Sequence, residues 1–309
     1  MTDSLQMSAP AVTVQERGAL AVTGFSGGGR ARRRRPTGSD RRAYVLAHLV
    51  LGVGAVIMAF PFLWQIIMSL STNAQVQSVT PVFWPGELQW DNYAEVFQRL
   101  PFLQQFGNSV LITVVRTVAQ LVLCTMAGYA FARLRFPGRG VLLAVVLSIL
   151  MVPSQVYLLS QYQIIQNLGL LNSIGGLVLP GLFSAFGTFL MRTAFLAMPT
   201  ELEEAARLDG ANTFQIFWKI MLPLAAPTMS VLAITTVLWS WNELLWPLVV
   251  TSYSSQMPLS AGLATLLSDR TTDYPVAMAA SVLAMAPVLI MFIVLQRRVI
   301  DGLASSGLK

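Results

Sequence analysis

The stretch Pro199-Thr-Glu-Leu-Glu-Glu-Ala-Ala-Arg-Leu-Asp-Gly-Ala-Asn-Thr-Phe-Gln-Ile-Phe-Trp-Lys-Ile-Met-Leu-Pro223 reads as two short helices joined by a turn. Thr200 is placed to cap the first, with Glu203 three positions on to return the bond in a capping box. Glu201, Glu203 and Glu204 fall in its first turn, where the helix dipole favours acids. Gly210 falls where a chain leaving a helix takes the left-handed conformation. Asn212 with Gln215 starts the second helix, and Pro223 marks where that helix must yield or kink. Phe214, Phe217, Trp218 and Met221 recur at helical spacing, which gives the second helix one apolar face. Long apolar segments flank the stretch on both sides, so it reads as a polar helix-turn-helix displayed on one side of a bilayer.

Composition leads to the same bilayer. The chain has 309 residues, 55% of them hydrophobic and 11% charged, with mean hydropathy +0.63. Soluble domains carry roughly a quarter charged residues, so an integral membrane protein is expected. The single cysteine, Cys124, excludes a disulfide within the chain, and the single histidine, His48, excludes a His-cluster metal site. Most of the net charge of +6 sits in one place: residues 1–42 hold eight Arg against three acids. That Gly-, Ala-, Ser- and Thr-rich tail has no periodicity and is expected to be disordered. Its cluster Arg30 and Arg32 to Arg35 reads as a topology signal that also suits anionic headgroups. The tail does not have the form of a signal peptide.

Six stretches are long enough to cross about 30 Å of hydrocarbon, near 44–70, 108–132, 140–162, 174–196, 222–249 and 275–296. With both termini in the cytoplasm, Arg133, Arg135, Arg139, Arg192, Arg207, Lys219, Arg297, Arg298 and Lys309 fall inside, and Arg99 and Arg270 outside. The positive-inside rule is satisfied, and the loop 197–223 is cytoplasmic. The outer loop 71–107, with Pro81, Trp84, Pro85, Trp90 and Asn92-Tyr93, suits either the mouth of a pathway or the headgroup layer. Pro61, Pro153, Pro180, Pro227, Pro247 and Pro287 interrupt or end apolar runs and allow kinks. Ala280 and Ala284 form a small-xxx-small pair that lets another helix approach.

Glu204-Ala205-Ala206, three residues, Gly210, nine residues, then Ile220-Met221-Leu222-Pro223 resembles the EAA loop of ABC-importer permeases. Met151-Val152-Pro153, Leu168-Gly169-Leu170 with Asn172, Trp241-Asn242-Glu243, and Gln296-Arg297-Arg298 with Gly302-Leu303 are similar to the sugar-importer branch, in the manner of the maltose-G type of subunit. The resemblance covers residues 43–309. It implies an all-α fold of six transmembrane helices with a cytoplasmic coupling helix, the type I importer architecture. It also implies that Glu204, Ala205, Ala206, Asp209 and Gly210 meet an ABC ATPase. The further partners implied are a second permease subunit and an extracytoplasmic solute-binding protein, in the bacterial cytoplasmic membrane. The alternative for the loop is an ordinary solvated helical hairpin.

Neither lysine, Lys219 or Lys309, follows a G-x-x-x-x-G, so the chain has no Walker A loop to cradle nucleotide. It is therefore expected not to be an enzyme and to need no cofactor of its own, ATP being hydrolysed by partner subunits. Ion coupling leaves ionisable groups deep in spans; His48, Arg116 and Glu243 are the candidates, and three scattered groups make a poor proton relay. Trp239, Asn242, Glu243 and Trp246 fall at i, i+3, i+4 and i+7, expected to share one helix face, with Trp241 opposite. Aromatic plates beside an amide and a carboxylate suit a sugar, and an outer aromatic belt explains the same residues. Arg116 either pairs with an acid, lines the pathway or snorkels. The resulting reading is an importer permease for a sugar or oligosaccharide. A polyol or glycerol phosphate permease, a gradient-driven carrier and a membrane scaffold are the alternatives.

Overall fold

The computed structural model describes residues 38–80, 83–268 and 273–307. The arginine cluster at 30–35, Pro81, Arg270 and Lys309 lie outside the described residues. All regular elements among these residues are helical. The helices are α1 Gly38–Ser69, α2 Asn73–Val76, α3 Asp91–Arg99, α4 Phe102–Arg133, α5 Arg139–Ser148, α6 Leu158–Asn167, α7 Ile174–Val178 and α8 Ala185–Ala197. They continue with α9 Glu201–Leu208, α10 Thr213–Ile216, α11 Leu222–Leu224, α12 Ala226–Asn242, α13 Leu245–Val250, α14 Leu259–Ser268 and α15 Tyr274–Gly307. Residues up to Ile57 form one compact unit and those from Met58 a second. In the first, the described part is helical and its apolar side chains, Leu49, Leu51 and Val56 among them, are exposed. A helix apolar on all sides belongs in hydrocarbon.

Tyr44–Ser69, Phe102–Arg133, Ile174–Ala197 and Tyr274–Met291 are each long and apolar enough to cross a membrane. The chain is an all-α, multi-span membrane protein. Three of the expected stretches are not continuous helices. In 174–196, α7 and a 3-10 turn end at Gly181, and Ser184 is extended (φ −132°, ψ 125°) before α8 begins. Near 140–162, α5 and a 3-10 turn end at Met151, and Val152 is extended (φ −99°, ψ 119°) before α6 begins. Pro153 explains the break, because its ring pushes the preceding residue out of the helical region.

The stretch 222–249 breaks twice. Thr213–Leu224 and Ala226–Asn242 meet at 72°, after a π-helical turn at Phe217–Met221. Pro223 and Pro227 bracket that bend, each unable to donate to the helix ladder. Helix α12 then ends at Asn242, and Glu243 is extended (φ −66°, ψ 123°). Pro247 supplies the reason: in a continuous helix its ring would strike the carbonyl four residues back, that of Glu243.

Helix α4 is the shared wall of the second unit, packed along α8 and α12. A side chain at Gly128 would put its Cβ 2.6 Å from Met191 Cβ and 2.8 Å from the Arg192 amide nitrogen, so glycine permits the α4–α8 crossing. Ala280 is fully buried on α15, and Trp241 Nε1 donates to the Ala284 carbonyl at 3.2 Å. The small residues thus admit α12 and its tryptophan. Between α1 and α4, α3 buries Val96 and Leu100 against Leu259, Leu266 and Val276. Asn92 Nδ2 donates to the Ser69 and Ser71 carbonyls at 2.9 and 3.0 Å, while Trp84 and Trp90 stay exposed.

Candidate functional site

The loop 197–223 is closed by hydrogen bonds within it. At the end of α9 the Ala211 amide donates to the Ala206 carbonyl at 2.9 Å and the Gly210 amide to the Arg207 carbonyl at 3.0 Å. This is a Schellman motif. Gly210 sits at φ +81° with nothing within 4 Å of where a Cβ would lie, so backbone conformation, not crowding, requires glycine. The second helix begins with the expected capping box: the Gln215 amide donates to Asn212 Oδ1, and the Asn212 amide to Gln215 Oε1, both at 2.9 Å.

The expected box on the first helix does not form. Thr200 has helical angles and makes no side-chain cap. Glu203 is instead buried, with Oε1 3.1 Å from Arg133 Nε, a close ion pair although the two atoms are not aligned as a hydrogen bond. Arg207 donates to Glu203 Oε2 at 3.3 Å. Arg133 in turn donates through Nη2 to the Phe195 and Met198 carbonyls at 2.6 and 2.5 Å. A buried carboxylate gains more from a cation held in place than from a single backbone amide.

The other loop residues divide by face. Glu204, Ala205, Asp209 and Gly210 are exposed, as are Leu202 and Leu208. Ala206 is buried among Tyr129, Phe195, Phe217 and Met221, so it belongs to the base of the loop and Ala205 alone keeps the exposed side slim. The apolar face of the second helix also splits: Phe217 and Met221 are buried, Phe214 and Trp218 exposed. The π turn changes the register between them.

Away from the loop, α4 and α12 enclose a cavity of about 590 Å³ lined by Arg116, Gln120, Thr236, Leu238, Trp239, Ser240, Asn242 and Glu243. Arg116 is buried and forms an ion pair with Glu243 through Nη1, and its Nη2 donates to the Leu177 carbonyl. Gln120 donates to the Gly181 carbonyl at 2.8 Å and accepts from Thr236 Oγ1 at 2.9 Å. Arg116 and Glu243 also line a smaller hollow of about 170 Å³ with Ser154, Tyr157, Gln161 and Trp246, so the pair stands between two polar spaces. A larger hollow of about 890 Å³ lies along Tyr44–Ile57 on one face of α1; it is almost wholly apolar and suits lipid.

The single-face arrangement of Trp239, Asn242, Glu243 and Trp246 is corrected, since the helix ends between Asn242 and Trp246. Trp239, 63% exposed, and Asn242 face the larger cavity, whereas Trp246 is 3% exposed and donates through Nε1 to the Gly176 carbonyl at 3.1 Å. Sequence reading missed Gln120, Thr236 and Ser240. The signal was present: Thr113, Arg116 and Gln120 on α4, and Thr236, Ser240 and Glu243 along α12, recur as polar residues at helical spacing in apolar helices. His48 is exposed, its Nδ1 2.7 Å from the Tyr44 carbonyl. Among the described residues no group of three His, Cys, Asp or Glu is placed to hold a metal ion.

A multi-span helical bundle with a polar hollow between α4 and α12 and a polar loop tied to the ends of its helices suits a membrane permease. The chain belongs to the family of binding-protein-dependent transport system inner membrane components, which matches residues 42–304, and it is a permease subunit of an ABC-type importer. It is 39% identical over 258 residues to the arabinooligosaccharides transport system permease protein AraQ of Halalkalibacterium halodurans, covering 82% of this chain and 92% of that one. It is 32% identical over 270 residues to the sn-glycerol-3-phosphate transport system permease protein UgpE of Yersinia enterocolitica, covering 85% and 96%. Among solved structures, a bacterial ABC transporter involved in the import of the acidic polysaccharide alginate matches with TM-score 0.71 and 27% identity, over 84% of this chain and 98% of that one.

Proposed function

We propose that this subunit carries a neutral sugar or oligosaccharide across the bacterial cytoplasmic membrane, as the smaller, maltose-G type of permease in a heterodimer. In this reading the chain spans the bilayer six times, with α5 and α6 together forming the third span and the broken stretch 222–249 the fifth. Both termini are cytoplasmic. The exposed Glu204, Ala205, Asp209 and Gly210 dock in an ATPase subunit, and an extracytoplasmic binding protein delivers the sugar.

The observation that carries the substrate reading is the Arg116–Glu243 pair. Both terminal nitrogens of Arg116 are committed, one to a carboxylate and one to a carbonyl. The cavity therefore offers amides, hydroxyls and the Trp239 ring, groups that suit the hydroxyls and apolar faces of a sugar. The similarity to an arabinooligosaccharide permease supports the same class. The similarity to a glycerol-3-phosphate permease favours a second reading, a phosphate ester, which would require a cation with a free face in the pathway.

The test is to tag the C-terminus, solubilise native membranes gently and identify what co-purifies. Recovery of a second permease and a Walker-A ATPase, with ATP-driven uptake of arabino-oligosaccharide into reconstituted vesicles, is the expected result. Uptake of glycerol 3-phosphate in its place selects the second reading. Uptake without ATP by this chain alone would overturn both.

A further inference from the structure

We infer that Glu203 and Arg133 are positioning residues that carry the motion of the cytoplasmic loop into the translocation pathway, using α4 as the rod between them. The inference rests on the proposed docking of the loop to an ATPase. Three observations carry it.

Glu203 is the one acid of the loop turned inward. It is 4% exposed, and its contacts are Arg133 at the last residue of α4 and Arg207 one turn along its own helix. Arg133 also holds the final carbonyls of α8 through Phe195 and Met198. One guanidinium thus joins three elements, α4, α8 and α9, and a displacement of α9 acts on the ends of both packed helices at once.

The rod is continuous. Helix α4 runs unbroken from Phe102 to Arg133 with no internal proline, in contrast to α1 and α15. At ~1.5 Å per residue, Arg116 lies about 25 Å up the same helix from Arg133. There it grips Glu243, at the point where α12 ends and the chain is extended. The far contact is therefore made where the expected fifth span leaves the helix. A rigid helix with a charged clamp at each end couples two sites only if both clamps hold.

The parallel contact between the loop and the bundle is apolar. Ala206 and Phe217 pack on Tyr129 and Phe195 without a polar bond across the interface in that cluster. The Glu203–Arg133 contact is a close buried ion pair, and it ties α9 to the last residue of α4.

The experiment uses the full complex with its ATPase subunits. Spin labels are placed at Leu111→Cys on α4 and Leu248→Cys on α13, both exposed and outside the cavity, with Cys124→Ala. Their separation is measured with and without ATP and vanadate. The test variant is R133A with E203A, which removes both charges together and leaves neither stranded. The double variant is expected to retain the ATPase on co-purification and to lose the nucleotide-dependent change in separation. Arg207→Ala, which removes only the outward partner of Glu203, is expected to keep both.

A double variant that docks and shifts like the parent overturns the relay while leaving the loop reading intact. Loss of ATPase from the double variant alone assigns the pair to the shape of the loop and likewise overturns the relay. Failure of the parent chain to recover any ATPase overturns the docking reading itself.

Discussion

Glu203 and Glu204 are neighbours in sequence and lie on different faces of one helix. Glu203 is buried against Arg133, and Glu204 is exposed on the outer face of the same helix. The helical turn of about 100° per residue separates them, and the Arg133 ion pair holds the inner one against the bundle. Two adjacent acids of one short helix thus serve different surfaces, one toward the bundle and one toward solvent.

That division predicts different phenotypes. Glu204→Lys should leave stability within about 0.5 kcal/mol of the parent, as exposed substitutions do, while abolishing recovery of the ATPase. Glu203→Ala should lower stability by on the order of 3 kcal/mol, because it strands a buried guanidinium. Thermal melting of the detergent-solubilised subunit, alongside co-purification, distinguishes the two.

Gly210→Val should abolish ATPase docking while the chain still inserts. The glycine occupies a φ of +81°, a conformation that a β-branched residue resists. Gly210→Ala should be milder, with roughly 1–2 kcal/mol of local strain. Membrane fractionation checks insertion, and pull-down of the ATPase checks docking.

Arg116 and Glu243 should behave as a unit. The single variants Arg116→Gln and Glu243→Gln should each reduce sugar uptake strongly. The double variant should be less impaired than the sum of the two, with a coupling energy of roughly 0.5–3 kcal/mol. Additive losses in reconstituted vesicles would remove the pair from the transport step.

Gly128→Leu should disrupt the α4–α8 crossing, where even a Cβ would meet Met191 and the Arg192 backbone within 3 Å. A cost of about 1–3 kcal/mol or more follows from overpacking. It should appear as a lowered melting temperature, with weakened ATPase recovery as α8 shifts the base of the loop.

Arg99 should contribute no pH dependence between pH 5 and 9. Its hydrogen bond to Glu95 raises its already high pKa, opposed by partial burial and aided by the Glu95 and Asp273 charges. A raised basic group stabilises fully below its unfolded pKa and loses that contribution only as pH climbs through the folded value. Arg99→Ala should cost less than about 1 kcal/mol, since the group is partly exposed, and melting curves at the two pH values should shift equally for parent and variant.

Much of this architecture was legible in local sequence. The left-handed Gly210, the Asn212–Gln215 box and the proline-bracketed bend depend on residues within one turn of each other. The failures share a different cause. Thr200 and Glu203 have the spacing of a capping box, yet Glu203 is claimed by an arginine on another helix, which no local pattern reports. Trp239 to Trp246 have helical spacing, yet the count assumes an unbroken helix, and the chain is extended at Glu243, four residues before Pro247. That second error was avoidable, because the proline and the carbonyl it displaces are four residues apart. The partner of Arg116 was not, since 127 residues separate the pair.

The location of the Glu203 partner also governs how such loops can be exchanged between transporters. A chimera that transplants residues 197–223 alone would import an acid that in this chain meets a cation at the end of α4, and would place it beside whatever the recipient carries there. The transplantable module is discontinuous: the loop together with the final turn of α4 around Arg133.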